Sequence, residues 1–448
     1  MPIDSTHPQY TAYLPYWQRM RDAVAGEDAI KAATTGYLPL PAGHESTTHQ
    51  AYRNYLSRAR YPDAIGAAVE GMVGLMGRKE ADIELPDALE RMRETATPDG
   101  LPLDGLLDRL RYEVATLGRH VLLTDVPEGG GDPYITAYPA ESCINWRTDG
   151  DRITLLVLYE SVEEPDPEDP LSMEQVDQWR VCVVREGVYQ QEVWRKPNEW
   201  QHVSTVTPAK AGGEVWDEVP AVIVGSRDLL PEPDSIPLLG VANRAIAYYR
   251  QYADYAMQLY MSAHGTTPYI FGVTEQEQPA TIGPDALWVS DNDNASAGFI
   301  EISGTGLEAQ RAELDRIQQE IAQATVQALS SDGRQAESGE ALRLRHQHQT
   351  ATLASIARST ARGLERALRW CCEWRGIDPE QASVTPDTQF VSEKPDAQLI
   401  NALKDGVERG LAPLEILSSY MRRVGLHEMD DEAYLRNTAA GQALPAEE

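Results

Sequence analysis

Basic residues are scarce in this chain: 39 Lys and Arg stand against 70 Asp and Glu, a formal net charge of −31 over 448 residues. A polyanion of that strength is a poor candidate for wrapping nucleic acid by general basicity or for lying on anionic lipid. Cysteine is scarce as well. Four in this length argue against a disulfide scaffold, and none stands in the C-x-x-C pattern of structural zinc. Cys143 and Cys182 fall in strand-like surroundings and Cys371 and Cys372 adjoin in a helical run, so all four read as small buried hydrophobes. Phenylalanine is nearly missing, 3 residues against 20 Tyr and 9 Trp. Tyr and Trp keep a polar handle and suit half-buried surfaces such as subunit interfaces, with composition bias as the plain alternative. No run of about eighteen apolar residues occurs, so no membrane span is expected. The opening MPIDSTHPQYTAYLPYW has neither a basic n-region nor an apolar h-region. No secretory signal is expected there, and the chain reads as soluble and made inside a cell.

The usual catalytic signatures are also missing. There is no G-x-x-x-x-G-K-[ST] to cradle phosphate and no G-x-S-x-G elbow. His44-Glu45-Ser46-Thr47-Thr48-His49 is H-E-x-x-x-H, one residue too long to place both imidazoles on one helical face. Asp291-Asn292-Asp293-Asn294 opens like a calcium loop, but Ala295 and Ser296 stand where a ligand and a sharp-turn glycine are needed, and a turn is the better reading. His346 and His348, two apart on a helix, cannot share a metal. Acidic pairs abound, as 70 acids make inevitable. The sequence therefore predicts no metal, no cofactor and no enzyme.

What is present is enough apolar residue, 42% of the chain, to bury real cores, and a length that suggests roughly two to four modules. Residues 8–80 read as helices broken by turns, with Tyr37-Leu38-Pro39-Leu40-Pro41 as an extended break. Helices are expected from about His49 to Tyr61 and again after Pro62, the latter carrying Gly66, Gly71, Gly74 and Gly77 for close packing. Leu103 to Leu117 repeats leucines at helical spacing, Gly118 ends it, and His120 to Asp125 reads as a strand. From there to about Gly225 short strands divided by turn signals predict a mostly antiparallel sheet: 134–138, 153–159, 179–184, 188–194, 200–206 and 219–224. Within it, Glu160 to Gln178 holds eight acids, three prolines and no base. That composition predicts a mobile acidic loop.

The second half changes character. Asp234-Ser235-Ile236-Pro237 is expected to start a long helix with Pro237 in its first turn. Leu238, Ala242, Ala245, Tyr249, Tyr252, Ala256, Leu259 and Ala263 alternate spacings of four and three, a coiled-coil-like seam for packing nearly parallel to other helices. Gly265 and Pro268 end it. Strands are expected at Tyr269–Phe271, Leu287–Val289 and Phe299–Ile302. A second seam-bearing helix then runs to Leu329, so a small β module sits at the tip of a helical pair. Ser330 to Gly339 reads as a polar linker, and Glu340 to about Arg375 as a very long helix. The tail has an extended piece at 384–391 and helices near 396–410 and 413–424. Residues 341–376 hold seven Arg and two Glu, a local excess of positive charge. Arg358, Arg362, Arg366 and Arg369 step by four, four and three to form one ridge. That ridge suits an acidic partner subunit, a phosphate backbone or plain solvent.

This order of elements resembles the portal protein of tailed bacteriophages, and is closest to a portal-like family catalogued as a domain of unknown function. The residues that carry the resemblance are Tyr16-Trp17, Gly36-Tyr37-Leu38-Pro39, Tyr52 to Tyr61, Gly77-Arg78-Lys79 and Leu117-Gly118-Arg119 leading to Leu123-Thr124-Asp125-Val126-Pro127. Pro139 to Trp146, the Pro237 helix, Glu301 to Leu307 and Ser338-Gly339-Glu340-Ala341-Leu342 follow in order. The resemblance implies an α+β fold with a wing at 1–234, stem helices at 235–263 and 306–329 and a clip at 264–305. A tunnel loop at 330–339, a long wing helix at 340–376 and a crown at 377–448 complete it. It further implies a ring, usually dodecameric, at one capsid vertex of a virion assembled in the host cytoplasm. Double-stranded DNA would pass through it, with terminase large subunit, head–tail adaptor, major capsid and scaffold proteins as partners and no membrane. The stem interface would then use Leu238, Ala242, Ala245, Tyr249, Tyr252, Ala256 and Leu259. The DNA-proximal positions would be Ser330, Ser331, Asp332, Gly333, Arg334, Gln335, Arg343, Arg345 and His346, and the ridge of Arg358, Arg362, Arg366 and Arg369 an interface. Two other classes stay open: a virion structural or adaptor protein without an axial channel, and a hydrolase-like enzyme using an acidic pair.

Overall fold

The computed structural model describes residues 2–41, 46–127, 131–165, 169, 171–264, 267–273, 289–290, 292–300, 306–329, 339–388, 390, 397–409, 413–423, 426 and 436. Within these, the side chains of 263–264, 267–269, 299–300, 326–329, 339–350, 397–398, 408 and 423 lie outside the description. The chain mixes helix and sheet. In order the elements are α1 (Pro8–Ala25), α2 (Glu27–Ala32), α3 (Gln50–Arg58), α4 (Ala64–Met76), β1 (Asp82–Glu84), α5 (Leu103–Leu117), β2 (Arg119–Asp125), β3 (Tyr134–Pro139), β4 (Cys143–Asp149), β5 (Arg152–Pro165), β6 (Met173–Arg185), β7 (Val188–Arg195), β8 (Gln201–Val206) and β9 (Ala221–Gly225). There follow α6 (Leu239–His264), β10 (Thr267–Phe271), β11 (Ser296–Ile300), α7 (Leu307–Leu329), α8 (Gly339–Arg375), β12 (Ser383–Thr385), α9 (Ala397–Glu408) and α10 (Leu414–Arg423). Residues 1–386 form one compact unit, and 387–448, with α9 and α10, a second.

The leucine repeat of α5 does what its spacing dictates: Leu103, Leu106, Leu107, Leu110, Val114 and Leu117 are all buried. Gly118 then takes a left-handed φ of 73° with its N–H on the Val114 carbonyl, and the chain turns directly into β2. Only glycine fits, because a Cβ there would sit 2.6 Å from the Ser235 carbonyl oxygen. Every residue of β2 is buried, as befits a central strand. It pairs antiparallel with β3 on one side and β9 on the other. Against this three-stranded sheet lies α8. Its Ser359 hydroxyl donates to the Gly225 carbonyl at 2.7 Å, Gly363 meets Val224, and the Thr124 hydroxyl donates to the Ala367 carbonyl at 3.2 Å.

Four sequence expectations need correction. The β region is two sheets, the three-stranded one and a five-stranded antiparallel meander β4-β5-β6-β7-β8. The acidic stretch 160–178 is no loose loop over most of its length: β5 and β6 stay paired from Leu155↔Val183 to Pro165↔Met173. Its acids are stabilised by bases further along the sheet, since Arg180 binds Glu160 at 2.7 Å and Arg195 binds Glu164 at 2.5 Å. Composition within the segment could not show those partners. The long helix α6 begins at Leu239, not at Ser235. The Asp234 carboxylate accepts the N–H groups of Arg227 and Ser235 and the Ser226 hydroxyl, which keeps 234–236 out of the helix and leaves Pro237 in a turn ahead of it. Among the described residues of the tail only β12 is strand, paired with β1 (Asp82↔Thr385), so the chain after α8 returns to the first unit before the boundary. Leu287, Trp288 and residues 301–305 lie outside the described residues.

Candidate assembly surfaces

Helices α6 and α7 run antiparallel, as two landmarks show: the Arg244 guanidinium lies 3.9 Å from Glu320, and Gly306, at the other end, sits beside Gln258. The hairpin β10–β11 (Thr267↔Ile300 to Phe271↔Ser296) joins their ends. Along α6 the seam divides. Leu238, just ahead of the helix, and Ala242, Ala245 and Tyr249 are fully buried within the chain. Tyr249 packs on Tyr61 with ring centroids 6.3 Å apart, the Tyr55 hydroxyl donates to Asp254, and the Arg250 Nε donates to the Tyr37 carbonyl at 2.6 Å. The elements carrying Tyr37, Tyr55 and Tyr61 therefore clasp this half. These four seam positions present no surface to a second chain.

Beyond Ala253 the helix changes. None of residues 254–262 is buried, although Tyr255, Ala256, Met257, Leu259, Tyr260 and Met261 make six of the nine apolar. Leu259 is 44% exposed and Tyr260 40%, and Phe271 in the hairpin reaches 66%. Tyr248, Tyr252 and Tyr255 form a row with centroids about 6 Å apart, 5.9 and 6.2 Å. A helix of a finished globule turns such a stripe inward. Of the predicted stem positions, Ala256 and Leu259 belong to this open half, and Tyr252, partly exposed, stands just before it.

The arginine ridge also divides. Arg369 is bound to Glu365 at 3.0 Å and to Glu380 at 3.3 Å, and Arg366 lies 4.0 Å from Glu218 and over the Trp370 ring at 5.1 Å. Arg358 and Arg362 are exposed and have no acidic partner among the described residues. Of the predicted DNA-proximal positions, Ser330, Ser331, Asp332, Gly333, Arg334 and Gln335 lie outside the described residues. Arg343, Arg345 and His346 are in the first turns of α8, with side chains outside the description.

One surface that the sequence reading missed is an aromatic ladder on the outward face of the five-stranded sheet. Register places Tyr159, Trp179, Trp194 and His202 directly opposite one another across β5, β6, β7 and β8, hence on one face. Tyr159 and Trp179 lie 5.6 Å apart, Trp194 and His202 5.0 Å, and Trp200 stands edge-on to Trp179 at 4.9 Å. The signal was available: each strand carries a ring near the same distance from its turn, but pairing register had to be known.

Titratable groups also gather between the two sheets. Glu160 accepts from the Tyr138 hydroxyl and the Gln178 amide, each at 2.6 Å, and from Arg180, whose other arm donates to Gln191 at 3.1 Å. Burial opposes ionisation of Glu160, but the Arg180 charge and these bonds outweigh it and hold its pKa below the ordinary value. Asp125, more deeply buried, is pushed up by desolvation. His120 is fully enclosed, 3.9 Å from Glu113, and burial lowers its pKa to about 3. A cavity of about 330 Å³ lies between the end of α4 and the start of α5, lined by Glu80, Asp104, Asp108 and Arg111 among others. Two of its acids are already engaged: Asp108 accepts from Arg111 at 3.0 Å and Asp104 from the Gly105 N–H at 2.8 Å. No cluster of metal-ligating residues occurs among the described residues. His49 serves as the N-cap of α3, accepting the Ala51 N–H, while His44 and Glu45 lie outside the described residues.

The fold is thus α+β, with a helix–hairpin–helix arm and a long helix after it. Residues 237–375, which span that arm and α8, match the family described as Domain of unknown function (DUF4055). No curated protein matches the chain. Among solved structures, a chain in the virion of a native gene transfer agent particle is 11% identical, with 84% of this chain and 92% of that one covered at a TM-score of 0.36. A chain in the neck of the empty particle, computed with C6 symmetry, is 12% identical over 86% and 96% at 0.35. One in the neck of the native particle, computed with C12 symmetry, is 12% identical over 90% and 99% at 0.31. Likenesses at these scores carry no argument about fold or role.

Proposed function

We propose that this chain is a subunit of a portal-like ring in a phage-type particle, a passive, non-catalytic channel component through which double-stranded DNA passes. The observation that carries this reading is the division of α6 at Ala253. One half is finished inside the chain, and the other leaves six apolar residues only partly buried or exposed beside a hairpin whose Phe271 is 66% exposed. Apolar stripes of that kind mark surfaces that another protein covers. A helix–hairpin–helix arm completed by identical arms around an axis satisfies every copy at once, because a head-to-tail contact that closes gives a ring. The net charge of −31 fits a wall that duplex DNA slides past without sticking. A dodecamer, a terminase at the hairpin end and a head–tail adaptor belong to the same proposal. Purified protein should appear as rings with a central hole in negative stain, at a mass many times 49.6 kDa. A monodisperse monomer at high concentration overturns the reading, and a closed assembly without a hole favours a structural neck component that lacks a channel.

A further inference from the structure

Most basic residues of the five-stranded sheet are held by acids on one face or the other. Arg180 and Arg195 bind Glu160 and Glu164 on one face. On the opposite face, with the aromatic ladder, Arg185 is held by Glu192 at 2.7 Å and Lys196 by Asp4 at 2.9 Å. The side-chain period of two places Glu163 and Asp177 on this same outward face, since each stands an even number of residues from Tyr159 or Trp179 in an unbroken register. Glu199 adjoins them at the turn before β8. All three acids are exposed and have no basic partner among the described residues; Asp177 accepts only the Tyr159 hydroxyl, at 2.7 Å. The outward face thus carries a row of rings, with Lys196 over Trp200 at 4.9 Å, and an acidic rim whose Glu163, Asp177 and Glu199 form no ion pair among the described residues.

The complementary surface is on the same molecule. Arg358 and Arg362 project from α8 with no acidic partner among the described residues. They are four residues apart, so their side chains emerge about 6 Å from each other. Asp177 and Trp179 are two residues apart on one strand face, about 6.7 Å. One guanidinium over the Trp179 ring thus brings the other to the Asp177 carboxylate. The chain already uses this chemistry internally, with Arg119 at 4.0 Å over the Trp146 ring. Arginine suits the task better than lysine because its planar group stacks on indole while its edge still donates to a carboxylate.

We propose that Arg358 and Arg362 of one copy dock on the ladder and acidic rim (Trp179, Asp177, Glu163) of the next copy. This rests on the ring reading and names one of its contacts. A second copy fits better than a nucleic acid on either side. The rim is negative and repels a phosphate backbone, while the ridge offers two open arginines with Arg366 and Arg369 already committed to Glu218, Glu365 and Glu380. Two different patches meeting head to tail form the heterologous contact that a cyclic assembly requires.

The test compares the full chain with three variants by mass photometry across a dilution series. The first is R358E/R362E, the second E163R/D177R, and the third carries all four changes. Folding is checked by circular dichroism, and the altered side chains are exposed. Each double variant should lose association by about thirty-fold or more, as expected for central contacts, and the fourfold swap should restore it. W179A should weaken association without altering the fold. If the double variants assemble as well as the unaltered chain, this pairing is wrong while the ring stands. If R358E/R362E dissociates but the fourfold swap does not recover, the ridge docks elsewhere and the proposal falls. An unaltered chain that stays monomeric removes both the ring and this contact.

Discussion

At the scale of single residues, the fold sets positions that tolerate little. Gly363 passes so close to the Val224 side chain that a Cβ there would overlap it. Gly363→Ala should destabilise the first unit by about 1–3 kcal/mol through overpacking, read as a lowered urea midpoint. His120 gives a pH signature. Its folded pKa is about 3, against an ordinary 6.5, first because burial penalises the charged ring and then because Arg109 and Arg21 lie near. The unfolded chain therefore takes up a proton as pH falls through 6.5 and the folded chain does not. The stability this contributes is complete above 6.5 and drains away toward 3, at about 1.4 kcal/mol per pH unit once below 6.5. Urea titrations at pH 6.5 and 5, where most carboxylates stay ionised, should show the loss. His120→Leu should flatten that slope, and an unchanged slope would mean that other groups set it.

At the scale of elements, what was legible in the sequence was whatever a local period decides. The leucines of α5 gave its limits, Leu103–Leu117, and the seam of α6 with its following hairpin and helices came out in order. The rest depended on partners distant along the chain. Glu160 and Glu164 looked like loop residues because Arg180 and Arg195 lie 20 and 31 positions away. The ladder was invisible until register aligned Trp179 with Trp194. Likewise the seam of α6 showed an apolar stripe but not which neighbour covers which half, since that depends on Tyr61 and Tyr55 arriving from remote helices. The division at Ala253 makes a prediction at this scale. Leu259→Asp, placed at a 44% exposed site, should leave the thermal melt of the isolated chain within about 0.5 kcal/mol of the original. The same change should abolish or sharply weaken self-association in sedimentation, because a charge would enter an apolar contact. A matched loss of folding would instead place Leu259 in a core.

At the scale of the whole molecule, assembly and DNA handling should separate. The stretch 332–337 lies outside the described residues, between α7 and α8. Removing it should leave ring formation intact while impairing packaging or retention of DNA in particles, measured as protected genome per particle. Collapse of the ring would show that this stretch serves assembly instead. The half-finished arm has a further consequence for how such a chain must be handled. On the proposed ring reading, a copy whose half-open stripe has not yet met its neighbours is prone to misassociate. Freshly made copies are in a race between meeting correct neighbours and clumping with wrong ones, so crowding too early is as harmful as dilution. Yield of well-formed particles should accordingly pass through a maximum as the rate of synthesis is raised.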